Sequence, residues 1–120
     1  MKILKCNNDI HFENFETYSE EESIIGAWID GKPIYRKVLT SSFNCTSNNP
    51  QRVAHGIDNL DLVLFHREIL DSALQLPYIN GAAFMAVQRI NNTEVQFECA
   101  ETGLLEKNVV IILEYTKTTD

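Results

Sequence analysis

A chain of 120 residues is the size of one domain, and such a chain buries about two thirds of the surface it exposes when unfolded, so it can hold a core without metal or disulfide staples. Its 17 acidic against 10 basic residues leave a net charge of -7, and no Lys/Arg cluster makes a local basic face, which argues against nucleic acid as a partner. No apolar run reaches the length of a membrane span, and the start, MKILKCNND, falls short of the apolar core of a secretion signal. The expectation is a soluble product of cytoplasmic synthesis with no membrane insertion.

Residues 1–17 read as a polar lead to a single domain over 18–120, with no repeat and no Pro/Gly-rich linker. The lead runs into YSEEES, read as a solvated acidic connection. Ser23 to Asp30 is rich in β-branched and aromatic residues. Pro33 to Leu39 resumes after a two-residue Asp30-Gly31 turn, the pattern of a β-hairpin. On its second strand Ile34, Arg36 and Val38 share one face, and Tyr35 and Lys37 share the other, expected to be the wetter. FNCTSNNPQR, with its Asn, Ser, Thr and Pro50, reads as a loop. In VAHGIDNLDLVLFHREIL, Leu60, Leu62, Leu64 and the pair Phe65/Ile69 fit a strand or one helical face, and Val63 with the flanking Gly56 and Asp58-Asn59 favours the strand.

Phe84 to Ile90, an Asn91-Asn92 turn and Thr93 onward make a second hairpin, in which Val95, Phe97 and Cys99 alternate with Glu94, Gln96 and Glu98. NVVIILEYTK near the C-terminus is β-branched nearly throughout and is placed as a central strand covered on both faces. About seven or eight strands joined by turns predict an all-β fold, an antiparallel two-sheet sandwich of jelly-roll type, with a small closed barrel as the alternative.

The chemistry-bearing residues form no recognisable machinery. His11, His55 and His66 are scattered without zinc spacing and read as ordinary surface or loop histidines. No metal or cofactor is expected. Neither HGIDN nor SSFNC places a nucleophile in a catalytic context. The carboxylates read as solvating charge, and the single glycines as turn and bulge positions. Three cysteines at wide spacing, Cys6, Cys45 and Cys99, read as buried free thiols. Two sequons, at Asn44 and Asn91, would matter only in a secreted eukaryotic chain. With Asp30-Gly31 at the centre of its turn, Tyr35 lies opposite Gly26. Its ring there fills the space a side chain lacks, so Trp28 and Tyr35 read as the brace of the hairpin before they read as a sugar platform.

The phrase YSEEESIIGAWIDGKPIYRKVL carries a further signal. It is similar to one that recurs in bacteriophage structural proteins of the tail-fibre, receptor-binding and head-fibre kind. The matching positions are Tyr18, Ser19, Glu22, Trp28, Ile29, Asp30, Gly31, Lys32, Pro33, Tyr35, Arg36 and Lys37. HGIDNLDLV, from His55, and LEYTKTTD, from Leu113, resemble the same family. The resemblance implies a non-enzymatic β-sandwich module of a virion appendage, tail fibre, baseplate, head fibre or decoration, that contacts the host surface and other virion proteins and assembles as a homotrimer. It transfers no catalytic residue and no ligand site. In that family the module closes a longer anchored protein. Here the expectation is either a stand-alone appendage or docking through the lead, whose Ile3, Leu4, Ile10, Phe12 and Phe15 suit a strand added to another chain.

Two readings follow. As a virion component the chain needs an apolar surface left after its core is filled, and Ala73 to Val87, with Leu74, Leu76, Tyr78, Ile79, Phe84 and Met85, is the segment singled out, against the alternative of a core hairpin. As a stand-alone carbohydrate-binding module for a host-surface glycan it needs an exposed aromatic cluster, for which Trp28, Tyr35, Tyr18 and Tyr78 are the candidates.

Overall fold

A computed structural model describes residues 2–6, 9–13, 18–71, 74–100 and 107–119, with backbone alone for 2–13 and 107. The strands are β1 (Lys2–Cys6), β2 (Asp9–Glu13), β3 (Ser23–Ala27), β4 (Pro33–Phe43), β5 (Gln51–Ala54), β6 (Leu60–Leu70), β7 (Leu74–Gln75), β8 (Tyr78–Asn80), β9 (Ala83–Ile90), β10 (Glu94–Ala100) and β11 (Lys107–Lys117). A larger five-stranded sheet runs β3-β4-β11-β6-β7, and a smaller four-stranded sheet runs β5-β10-β9-β8. Every ladder in both is antiparallel. The protein is an all-β sandwich, as its strand and turn pattern predicts. The two sheets hold nine strands, because the short β7 and β8 come from the ALQLPYIN stretch.

The polar lead also contains strands. β1 and β2 pair in a two-stranded sheet of their own, with Ile3 opposite Phe12 and Lys5 opposite Ile10 in the register. The side chains of Cys6, His11 and Phe15 lie outside the described residues, as does Ala73.

β11 forms where sequence places it, at the centre of the larger sheet between β4 and β6. Its alternate residues Val109, Ile111, Leu113 and Tyr115 are fully buried against the smaller sheet. Side chains of that size contribute roughly 1.5–3 kcal/mol each when removed from water, so this strand anchors the core. Covering is complete on that side only: Val110, Ile112 and Glu114, on the other side, are half-buried. From the smaller sheet Met85, Val95, Phe97 and Cys99 meet them. The Phe43 and Phe97 rings cross the sheet interface edge to face, centroids 5.2 Å apart.

The face assignment on β4 is the reverse of the expected one. Tyr35 lies opposite Tyr115, Lys37 opposite Leu113 and Leu39 opposite Ile111, so the supposedly wetter side faces the core. Lys37 is tolerated there because its stem lies along apolar surface while its ammonium donates to the His55 carbonyl oxygen at 2.7 Å. A Cβ on Gly56 would stand 3.1 Å from that ammonium nitrogen, and Gly56 has φ +66°, so a side chain there would be strained and would press on the Lys37 ammonium.

The first hairpin also differs in its turn. Trp28 N donates to Lys32 O at 2.8 Å and Gly31 N to Trp28 O at 2.9 Å, closing a three-residue connection of Ile29, Asp30 and Gly31. Gly31, at φ +89°, takes the left-handed position such loops require, and Asp30 Oδ1 accepts from Lys32 N. A register shift between Ile24 and Gly26 then sets Tyr35 opposite Ile24, and Gly26 faces Ile34. Tyr35 instead stacks on Tyr115, ring centroids 5.9 Å apart.

The free-thiol reading is corrected at two positions. Cys45 and Cys99 form a disulfide, with Cα atoms 6.1 Å apart, inside the roughly 4.4–6.8 Å that such bonds span. It ties the stretch after β4 to β10, and so one sheet to the other. Both cysteines lie in the buried core cluster with Phe43 and Phe97.

Candidate functional site

The polar side chains concentrate at the hairpin end of the larger sheet, where they hold structure. The acidic run read as a solvated connection is a clamp. Ser19 O accepts from Val38 N at 2.9 Å, so the run lies along β4. Glu22 accepts a hydrogen bond from the buried Tyr115 hydroxyl and pairs through its other oxygen with Lys117 Nζ at 2.7 Å. That ammonium stands 4.8 Å from the Tyr35 ring centroid. Burial first, then the Glu22 carboxylate, pushes the Tyr115 phenol far above its ordinary pKa, so it remains a donor.

On the opposite face of β4, Arg36 is only 4% exposed. Its Nε and Nη2 both reach Glu114 Oε2, at 3.0 and 2.6 Å. The Tyr18 ring lies 4.1 Å from the guanidinium carbon. Lys32 pairs with Asp61 at 3.2 Å, fixing the hairpin tip to the start of β6.

Of the histidines, read as ordinary surface or loop groups, His55 and His66 are each held by hydrogen bonds. His55 is a loop histidine but fully buried: Nδ1 accepts from Ile57 N at 3.0 Å and Nε2 faces Asn91 O at 2.8 Å. That geometry fits the tautomer with hydrogen on Nε2, and it joins the loop before β6 to the β9–β10 turn. His55 to Asn59, with Ala54, Asn92 and Thr93, bound an open cleft of about 410 Å³. Both His55 nitrogens are occupied by backbone, so the imidazole itself is engaged in structure, and Asp58 is the one carboxylate in the wall. His66 lies on β6, half exposed, with Nδ1 2.8 Å from Oε2 of Glu68. Glu68, 1% exposed, is the carboxylate that departs from the solvating role. The Glu68 hydrogen bond raises the His66 pKa above 6.5 against the opposing effect of burial. Among the described residues no group of three His, Cys, Asp or Glu side chains is placed to hold a metal.

The four aromatic candidates for a sugar platform are distributed over separate surfaces. Tyr18 covers Arg36 on one face of β4, and Tyr35 stacks on Tyr115 on the other. Trp28 is half-buried at the hairpin tip. Tyr78 packs against the core from β8, opposite Met85. In the Ala73 to Val87 segment, Leu76 and Met85 are buried and Leu74 and Tyr78 pack against the core, which leaves Ile79 and Phe84, paired across β8 and β9, facing outward. The segment is largely a core hairpin, with Ile79 74% exposed.

Sequence reasoning missed Glu22, Glu114 and Lys117, whose partners are remote along the chain. Comparisons of the chain with protein-family models, with curated proteins and with solved structures found no match.

Proposed function

We propose that this chain is a non-enzymatic structural module of a bacteriophage virion, an appendage subunit of the tail-fibre, baseplate or head-fibre kind that works as one of several identical copies. The observation that carries the reading is what the residues of the recurring phrase do. Tyr18 and Arg36, Glu22 with Tyr115 and Lys117, Asp30 and Gly31 in the turn, and Tyr35 in its stack all brace the larger sheet. A phrase shared for its bracing marks a scaffold, as an appendage module requires. The acidic, all-β chain, with its polar groups engaged in pairs, supports the same reading.

Light scattering on the size-exclusion peak of the full chain tests it, with a stable trimer as the result the resemblance implies. Particle incorporation adds a second test: removing residues 1–15 abolishes recovery of the chain in purified particles and leaves its thermal melt intact. Full incorporation without those residues would refute docking through the β1–β2 ribbon.

A further inference from the structure

The outer face of the larger sheet is composed as though a second layer covered it. Val109 to Leu113 reads Val-Val-Ile-Ile-Leu, the continuous apolar run of a strand buried on both sides, yet the smaller sheet takes only Val109, Ile111 and Leu113. On the other side the register aligns Val38, Ile112 and Arg67 in one row, and Thr40, Val110 and Ile69 in the next. Arg36, Glu114 and Phe65 form a third row. Val38, Val110, Ile112 and Ile69 are half-buried, Phe65 is 41% exposed, and none of the five packs into the core. On this face the side chains of the Tyr18–Glu22 segment reach only β4, through Tyr18 on Arg36 and Glu20 on Thr40.

Charge points to the occupant. In a chain of net charge -7 this face is balanced. Arg36 and Glu114 neutralise each other, which leaves Arg67 at the β6 margin and Glu20 at the β4 margin. Arg67 Nη1 donates to the neutral Gln75 amide oxygen at 2.7 Å. Glu20 accepts from the Thr40 hydroxyl at 2.8 Å. Neither has an ion-pair partner among the described residues. Opposite charges on opposite margins of one apolar face are complementary to a second copy of the same face set head to tail.

We propose that the outer face of the larger sheet is the contact between copies of this chain, the β6 margin of one against the β4 margin of the next, with Arg67 meeting Glu20 and Val110 and Ile112 enclosed between them. The proposal rests on the self-assembly reading above and names its surface, moving it from Ala73–Val87, whose side chains mostly fill the core. Such a heterologous contact closes a ring when the rotation fits, and three copies is the number the resemblance implies.

The test is association of the full chain by light scattering and sedimentation, wild type against variants that each keep a cooperative thermal melt. Arg67→Glu and Glu20→Arg each weaken association by at least about tenfold, and the combined variant recovers it to within about threefold. Phe65→Lys, opposite Glu114 and so tolerated in the single copy, disrupts assembly, and Ile79→Lys on the smaller sheet leaves it unchanged. Both margin residues are exposed, so the charge swap decides the matter should Phe65→Lys fail to fold. An oligomer indifferent to Arg67→Glu and Glu20→Arg overturns this surface and leaves the assembly reading standing. A wild-type chain that stays monomeric at about 100 μM overturns both.

Discussion

The two ends of the long strands β4 and β11 are closed by different physics. At the Phe43 end the sheets meet directly: Phe43 crosses Phe97, Leu70 and Val109 are buried beside them, and the Cys45–Cys99 bond joins the layers. At the Tyr35 end side chains from residues 18–22 close the surface, through Glu22 on Tyr115 and Lys117 and through Tyr18 on Arg36. The first end depends on apolar burial and a covalent link, the second on a few charged hydrogen bonds with partly wet partners. The first is expected to carry most of the stability, and the second the accuracy with which the hairpin is held.

The largest test of that contrast is the disulfide. Closing 54 residues of chain restricts the unfolded state, which in the chain-entropy account stabilises a protein by about 2–4 kcal/mol. Cys45→Ala/Cys99→Ala is expected to lower the melting temperature by more than any single change at the Tyr35 end. Thiol titration of the denatured, unreduced wild type should find one reactive cysteine, since two of its three are joined. Three reactive thiols would remove the covalent half of the comparison.

The intermediate test acts at the other end. Tyr115→Phe keeps the ring stacked on Tyr35 and deletes only the hydroxyl that donates to Glu22, whose carboxylate retains Lys117. A hydrogen bond to a charged group is worth about 1.5–3 kcal/mol, and the partial exposure of Glu22 puts the loss near the lower figure. Hydrogen exchange should sharpen the picture: amides of β3 and of Val38, which donates to Ser19 O, lose protection in Tyr115→Phe while those of β10 do not. Equal loss in both sheets would mean that the two ends are not energetically distinct.

What was legible in the sequence follows the range of the interactions. The strands at Leu60–Leu70 and Glu94–Ala100, the central position of β11 and the first hairpin all follow from local alternation and turn residues. The three-residue turn moved Gly26 from Tyr35 to Ile34, and the bulge beside Ile25, hidden because no residue type in SIIGA demands an extra position, then set Tyr35 opposite Ile24. Lys37 made an inward face look wet because a long cation that snorkels has the same letter as an exposed one. The Cys45–Cys99 pair was masked by a third cysteine and by a separation that only the finished sandwich spans. Glu22 and Glu20 sat in an acidic run whose composition signals solvation, while their partners lie on β11 and β4, far along the chain or on a strand still to come. The outer-face stripe was half legible: the Val109–Leu113 run implied cover on both sides, and the single sandwich supplies one.

The smallest expected effect concerns a charge away from both ends. Glu68 lies opposite Ile111 on the core-facing side of β6, 1% exposed, and His66 is its hydrogen-bonded partner. Because the folded protein raises the His66 pKa above the 6.5 of the free side chain, the folded state binds its proton more tightly than the unfolded one. The pair's contribution is therefore complete below about pH 6.5 and fades as pH rises through the higher folded value. The edge strand β7 should respond first, since Leu76 N donates to Glu68 O and Gln75 pairs with Ile69. The difference in melting temperature between wild type and His66→Gln is expected to be widest near about pH 6 and to narrow by about pH 8.5. A difference constant across that interval would mean that His66 stabilises the strand by packing and hydrogen bonding alone, with no contribution from its charge beside the buried carboxylate.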